Sequence, residues 1–161
     1  MAAKVRTLAV IWATASFLLL GSASTAAASA PAGPVTIVTQ IDFSTFPFHG
    51  TFSVVDGASL LGCSGGTFVD HPIALASHGA SAKEKDLTCA AGEASGSSFT
   101  VIFQPILRPG PHGFWEVFTG TGAFANLHGG GDFSVVSTSP TTGMETLTGT
   151  IKFVAKAPGE P

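Results

Sequence analysis

Residues 146–155 set the strictest limit on what this chain can fold into. Leu147, Gly149, Ile151, Phe153 and Ala155 alternate with Thr146, Thr148, Thr150, Lys152 and Val154. That is the period-two pattern of a strand with one buried face. The same alternation governs residues 35–43, where Val35, Ile37, Thr39, Ile41 and Phe43 share one side against Thr36, Val38, Gln40, Asp42 and Ser44. It returns in residues 99–107, with Phe99, Val101 and Phe103 in phase, and again at Trp115, Val117 and Thr119. Beyond the leading segment no stretch holds a helical period over three turns. Asp56-Gly57, the small residues 91–97, residues 108–113 with two prolines and two glycines, and Ser-Pro-Thr-Thr-Gly at 139–143 are turn chemistry. The chain therefore reads as all-β, a single antiparallel β-barrel of about eight strands, because closure removes exposed edges; a β-sandwich is the alternative.

Residues 1–30 read as a signal peptide rather than part of that domain. Lys4 and Arg6 give a short positive start, and residues 8–20 are apolar but too short for a membrane span. Small residues then offer cleavage after Ala28 or Ala30, with Ala28 favoured because the later cut would place Pro31 beside the scissile bond. A barrel domain over 34–156 and a short flexible tail over 157–161 complete the expected organisation. The protein is expected to be secreted, with no membrane span after cleavage.

Setting aside Lys4 and Arg6 leaves five basic residues against ten acidic ones, a net charge near −5 with histidine neutral. An acidic domain without a basic patch has no electrostatic reason to bind nucleic acid or anionic lipid. Cys63 and Cys89 are the two cysteines, and in an oxidising compartment a disulfide is the expected state. Its loop of about 25 residues would contribute roughly 3 kcal/mol in the chain-entropy model. A metal site or reactive thiols are the competing uses, disfavoured by the lack of a C-x-x-C spacing.

Between the clearest strands the pattern is weaker. Pro47 makes residues 46–50 an edge or bend, and residues 51–55 form a short strand. Residues 62–69 are a glycine-loosened entry to another. Residues 70–86 have poor periodicity and read mainly as a loop, with a helical turn over 73–82 the lesser option. Lys83-Glu84-Lys85-Asp86 reads as a solvated strand end. Pro105 places the end of its strand at an edge.

Residues 114–133 are the most distinctive stretch. A tryptophan strand breaks at Gly120 and Gly122, a short apolar turn carries Phe124, and Gly129-Gly130-Gly131 release the chain into a strand over 133–138. The sequence Gly-Thr-Gly-Ala-Phe-Ala-Asn-Leu-His-Gly from Gly120 resembles the Gly-Thr-Gly-x-Phe/Tyr turn of dirigent and allene oxide cyclase-like barrels, including small secreted bacterial proteins. The resemblance spans residues 114–153. It implies an eight-stranded antiparallel barrel with an apolar interior, and an oligomer in the plant relatives. No residue here aligns with the plant enzymes' catalytic acids, so it carries no activity.

The remaining constellations favour architecture over chemistry. Gly120-Thr-Gly-Ala-Phe-Ala fits a dinucleotide fingerprint, but the triple glycine forbids the helix that motif requires. Gly62-Cys-Ser-Gly-Gly fits a nucleophile elbow around Ser64, yet a strand-like Thr-Phe-Val follows where a helix is needed. His49, His71, His78, His112 and His128 show no metal-ligand spacing, so no metal and no cofactor is expected. His128 and Asp132 flank the triple glycine and are the pair to alter if activity is found, while Glu116 is expected to face solvent. Phe43, Phe52, Phe99, Phe103, Phe133 and Phe153 have inward phase and could line a ligand cavity, although a filled interior is the ordinary outcome.

These readings converge on non-catalytic binding of a small apolar ligand or an extracellular partner. The alternatives are a cyclase-like or dirigent-like enzyme holding a reactive intermediate, and an interaction protein with a filled barrel. Buried polar groups among the inward phenylalanines would favour the enzyme. Mass spectrometry of the protein from its own culture medium is expected to show loss of residues 1–28 or 1–30; a full-length mass would sink the secretion argument.

Overall fold

Eight strands close into one antiparallel barrel in which every strand pairs with its neighbours in sequence and the last returns to the first. The computed structural model describes residues 30–74, 81–106 and 112–154. The proposed leader up to residue 29 and the tail over 157–161 lie outside these residues. The strands are β1 (Ala32–Asp42), β2 (His49–Asp56), β3 (Gly65–Ala74), β4 (Ser81–Ala91), β5 (Ser98–Ile106), β6 (His112–Gly120), β7 (Leu127–Ser137) and β8 (Thr142–Phe153). A one-turn helix, α1 (Ala58–Leu61), joins β2 to β3, and a 3₁₀ turn (Gly122–Phe124) joins β6 to β7. Among the described residues no helix is long and apolar enough to cross a membrane.

Closure rests on β1 and β8, the two strands with the clearest alternation. They pair in unbroken register from Ala32 opposite Lys152 to Asp42 opposite Thr142. Val35, Ile37, Thr39 and Ile41 of β1 and Glu145, Leu147 and Ile151 of β8 are buried on the inner face. The ladders shift register at Thr36/Ile37, Gly65/Gly66 and Thr100/Val101, where Val55 of β2, Ala90 of β4 and Phe118 of β6 are the extra residues, and such bulges increase the local coiling that closure needs. The sandwich alternative is thereby excluded.

Two expectations are corrected. Residues 70–86 are mostly strand: β3 runs to Ala74 and β4 starts at Ser81, paired from Gly65–Ala91 to Ala74–Ser81. The triple glycine does not precede its strand but lies within β7, which begins at Leu127. Pro105 lies past the end of the β4–β5 ladder, whose last pair is Lys83 with Phe103, and is paired on one side alone, to Gly113 of β6, as an edge position is.

The two ends of the barrel differ. The end holding α1 is apolar: Leu61, Ala94, Phe99 and Phe124 are buried there, with Phe99 and Phe124 edge to face at 5.1 Å between ring centroids. The disulfide joins Cys63, just after α1, to Cys89 in β4, with 6.0 Å between the Cα atoms. At the opposite end the β1–β2 loop brings Phe43 and Phe48 together, also edge to face at 5.3 Å.

Close backbone approach beside Trp115 accounts for glycines of β7 and β8. The Trp115 ring is buried, and its indole N–H donates to the Thr148 carbonyl at 3.1 Å. Gly131 lies opposite both Trp115 and Gly149. A Cβ on Gly131 would overlap the Thr148 carbonyl oxygen and stand 2.5 Å from the Gly149 Cα. Those atoms are backbone, so they cannot swing away. Gly131→Ala is therefore expected to lower unfolding free energy by about 1–3 kcal/mol in urea denaturation, the usual range for overpacking. An unchanged midpoint would show that the two strands do not approach this closely.

Candidate functional site

The inner face is apolar except toward the end opposite α1. There Asp70 and Lys85 sit directly across the β3–β4 ladder, and Thr39 and Glu145 across the β1–β8 ladder. All four occupy positions that alternation assigns to the interior: Asp70 follows Phe68 by two, Lys85 precedes Leu87, Glu145 precedes Leu147, and Thr39 falls between Ile37 and Ile41. Lys85 is 0% exposed, Asp70 5% and Glu145 6%.

The lysine is the hub. Its Nζ lies 2.8 Å from Asp70 Oδ1 and 3.1 Å from Glu145 Oε2. It also stands over the Phe68 ring, 3.6 Å from the centroid, with Phe103 at 5.7 Å. Thr39 donates its hydroxyl to Glu145 Oε2 at 3.4 Å. Asp70 Oδ1 and Lys85 Nζ are close in distance but not aligned as a hydrogen bond, so their contact is an ion pair. Asp70 also ties in the β1–β2 loop, its backbone N–H donating to the Phe48 carbonyl at 2.7 Å.

Stability alone does not account for this cluster. Taking ions out of water costs several kcal/mol each, and well-packed apolar replacements of a buried ion pair are often neutral or stabilising. Two carboxylates, Asp70 and Glu145, face the Lys85 ammonium. Such a group can orient a ligand's polar end, accept hydrogen bonds from it, or relay a proton between carboxylate oxygens.

Lys85 overturns one expectation from the sequence. The charged run at residues 83–86 is not a solvated strand end at that position. The β3–β4 pairing extends past it, which turns the Lys85 side chain inward between Phe68 and the carboxylates. The six phenylalanines do not gather round a single point. Phe103 and Phe133 touch edge to face at 4.9 Å, Phe103 beside Lys85. Phe52 is buried in β2, opposite Thr39. Phe99 belongs to the α1 end, while Phe43 and Phe153 are half-buried near opposite ends of the barrel.

The other singled-out residues are scattered. In the central turn Phe124 is fully buried, Gly120 ends β6, and Gly122 takes a left-handed φ of 57°. His128 and Asp132 are exposed on the outer face of β7, and Glu116 is exposed on β6. Ser64 is exposed and runs straight into β3, next to the disulfide-bonded Cys63. His49 and His71 are exposed, with His71 3.4 Å from Asp86, and His112 is half-buried. His78 lies outside the described residues. Among the described residues no three His, Cys, Asp or Glu side chains converge as a metal site. An outer-face groove of about 460 Å³ runs across the ends of β2, β1 and β8 between Gln40, Thr51 and Met144. At its edge the side-chain hydrogen bond with Ser44, followed by the Ser44 backbone N–H at 2.7 Å, holds the Asp42 carboxyl below its ordinary pKa.

Fold and site together define a closed eight-stranded antiparallel barrel with an ionic cluster buried toward one end. No family model and no curated protein matches the chain. Among solved structures it is similar to the pterocarpan synthase dirigent protein GePTS1, with 14% identity and a TM-score of 0.46 over 91% of this chain and 100% of that one. The fold is established by the strand ladders themselves.

The cluster's energetics are separable by mutation. Lys85→Met alone removes the ammonium that faces Asp70 and Glu145 and is expected to cost about 3–5 kcal/mol of stability in urea denaturation. Lys85→Met combined with Asp70→Val and Glu145→Leu is expected to recover most of that loss. A single variant as stable as the parent would mean that Lys85 is not the buried partner of either acid.

Proposed function

We propose that the protein is a secreted barrel that binds a small, largely apolar molecule at the end carrying Lys85, Asp70, Glu145 and Thr39. The observation that carries this reading is an ionic cluster, more than nine-tenths buried, in an otherwise apolar inner face. Ligand sites commonly combine an apolar wall with a few convergent polar groups, the mouth of a β-barrel being a frequent location. Phe68, Phe103 and Phe133 are the apolar wall in this reading, and the cluster fixes the ligand's orientation. Secretion is supported by the leader-like residues 1–30 and by the disulfide.

A second reading shares the same site. Polar groups set among inward phenylalanines are what an enzyme of the stereo-directing kind would use to hold a reactive intermediate in one conformation. Such a protein supplies orientation and loss of freedom rather than a nucleophile.

Native mass spectrometry of the protein from its own culture medium tests binding directly. The parent is expected to carry a small-molecule mass that the Lys85→Met/Asp70→Val/Glu145→Leu variant lacks while keeping the parent's far-UV spectrum. An adduct retained by the folded triple variant would move the site away from the cluster. A bare parent that also takes up nothing from an extract of the medium would turn the reading toward a filled barrel acting through its outer face.

A further inference from the structure

Independently of the lumen, we infer that the outer face of β5–β8 is a binding platform for a neutral, extended polysaccharide. Strand register carries the argument. Gln104, Phe114, Asp132 and Thr148 stand opposite one another on β5, β6, β7 and β8, and Thr36 of β1 continues the row. At about 4.8 Å between strands, the row spans roughly 19 Å. A second row beside it holds Ile102, Glu116, Gly130 and Thr150 in the same strand order. Both rows lie on the outside of the wall. Their strand neighbours Phe103, Trp115, Phe133 and Leu147 are buried, whereas Gln104, Phe114, Glu116, Asp132, Thr148 and Thr150 are exposed.

A groove of about 190 Å³ opens between the rows where β5 meets β6, lined by Ile102, Gln104, Phe114 and Glu116. It heads toward β7, where Gly130 carries no side chain and the floor stays low between Glu116 and Thr150. Phe114 is 53% exposed beside this groove, and Phe118, two residues past Glu116 on the same strand, is 65% exposed.

The residue types select the occupant. Phe114 has the Gln104 amide on one flank and the Asp132 carboxylate on the other, and Ile102 adjoins Glu116. A sugar ring has the matching build: its C–H face is apolar and meets the negative face of an aromatic ring, while the hydroxyls at its edge donate to amide and carboxylate oxygens. A protein partner would call instead for an interface core depleted of charge, and here a carboxylate or an amide adjoins each apolar side chain of the two rows. Neither row holds a lysine or arginine. Glu116 and Asp132 therefore oppose a uronate, sulfate or phosphate polymer, and the mature charge near −5 acts in the same sense.

The test is calorimetric titration of the full mature protein with cellohexaose, chitohexaose, mannohexaose and, as the anionic control, hexagalacturonate. At least one neutral hexamer is expected to bind, and hexagalacturonate to bind more weakly or not at all. Phe114→Ala is expected to weaken the neutral hexamer about tenfold, the loss of one stacked ring, and Phe114→Trp to retain it. Glu116→Ala, also at an exposed position, serves if Phe114→Ala fails to fold. The Lys85→Met/Asp70→Val/Glu145→Leu variant leaves this face untouched and is expected to bind the hexamer as the parent does. No binding of any neutral hexamer to folded protein overturns the inference. So does hexagalacturonate binding as tight as the neutral sugars, or a folded Phe114→Ala variant with the parent's affinity. Loss of the sugar in the folded triple variant would also overturn it, by moving the sugar to the cluster.

Discussion

The pairing of β1 with β8 is the constraint on which the rest depends. Its eleven-residue register closes the sheet, and closure separates the residues into an inner set cut off from water and an outer set facing it. Every inner position then carries the full consequence of its chemistry. A valine or leucine there contributes burial, and a charged group there must find a partner. Lys85 is tolerated because Asp70 stands across the β3–β4 ladder and Glu145 is delivered by the closing strand itself. Without the β1–β8 seam, Glu145 would have no fixed relation to Lys85.

The contrast between the ends follows from how the connections are built. Left-handed glycines, Gly57 and Gly62, bracket the single turn of α1, and the 3₁₀ turn tucks Phe124 under Phe99. These connections press apolar side chains into one end, and the disulfide fixes Cys63 to β4 beside them. The β1–β2 loop at the other end presents an aromatic series that runs from exposed Phe46 to half-buried Phe43 and Phe48. One end is closed by packing, and the other holds the barrel's buried charges.

The strand alternation was legible in the sequence and made the chain all-β; closure favoured a barrel over a sandwich, and the two cysteines of an expected secreted chain gave the disulfide. The ionic cluster was legible only in part. Thr39 shared a face with Val35, Ile37 and Ile41, and Glu145 lay one step before the alternating run at residues 146–155, in phase with Leu147. Neither position declared a partner, because partnership depends on register between strands more than a hundred residues apart. Lys85 was hidden for a different reason. Four consecutive charged residues look like a solvated surface, and alternation within the run shows only once Leu87 and Cys89 are known to continue it inward. The triple glycine was read as a release of the chain. The structure instead shows a close backbone approach of β7 and β8 at these glycines, a contact between segments that no local pattern records.

The cluster is also a strap across the lumen. Asp70–Lys85 belongs to one ladder and Thr39–Glu145 to another, with β2 between them. The Lys85–Glu145 contact at 3.1 Å joins the two. An ion pair of this kind gives geometry more readily than net stability, since its attraction is largely spent against desolvation. Any group that enters and competes for Glu145 acts on the β3–β4 hairpin and the β1–β8 seam together. The relative placement of these two parts of the wall is therefore tied to a few atoms.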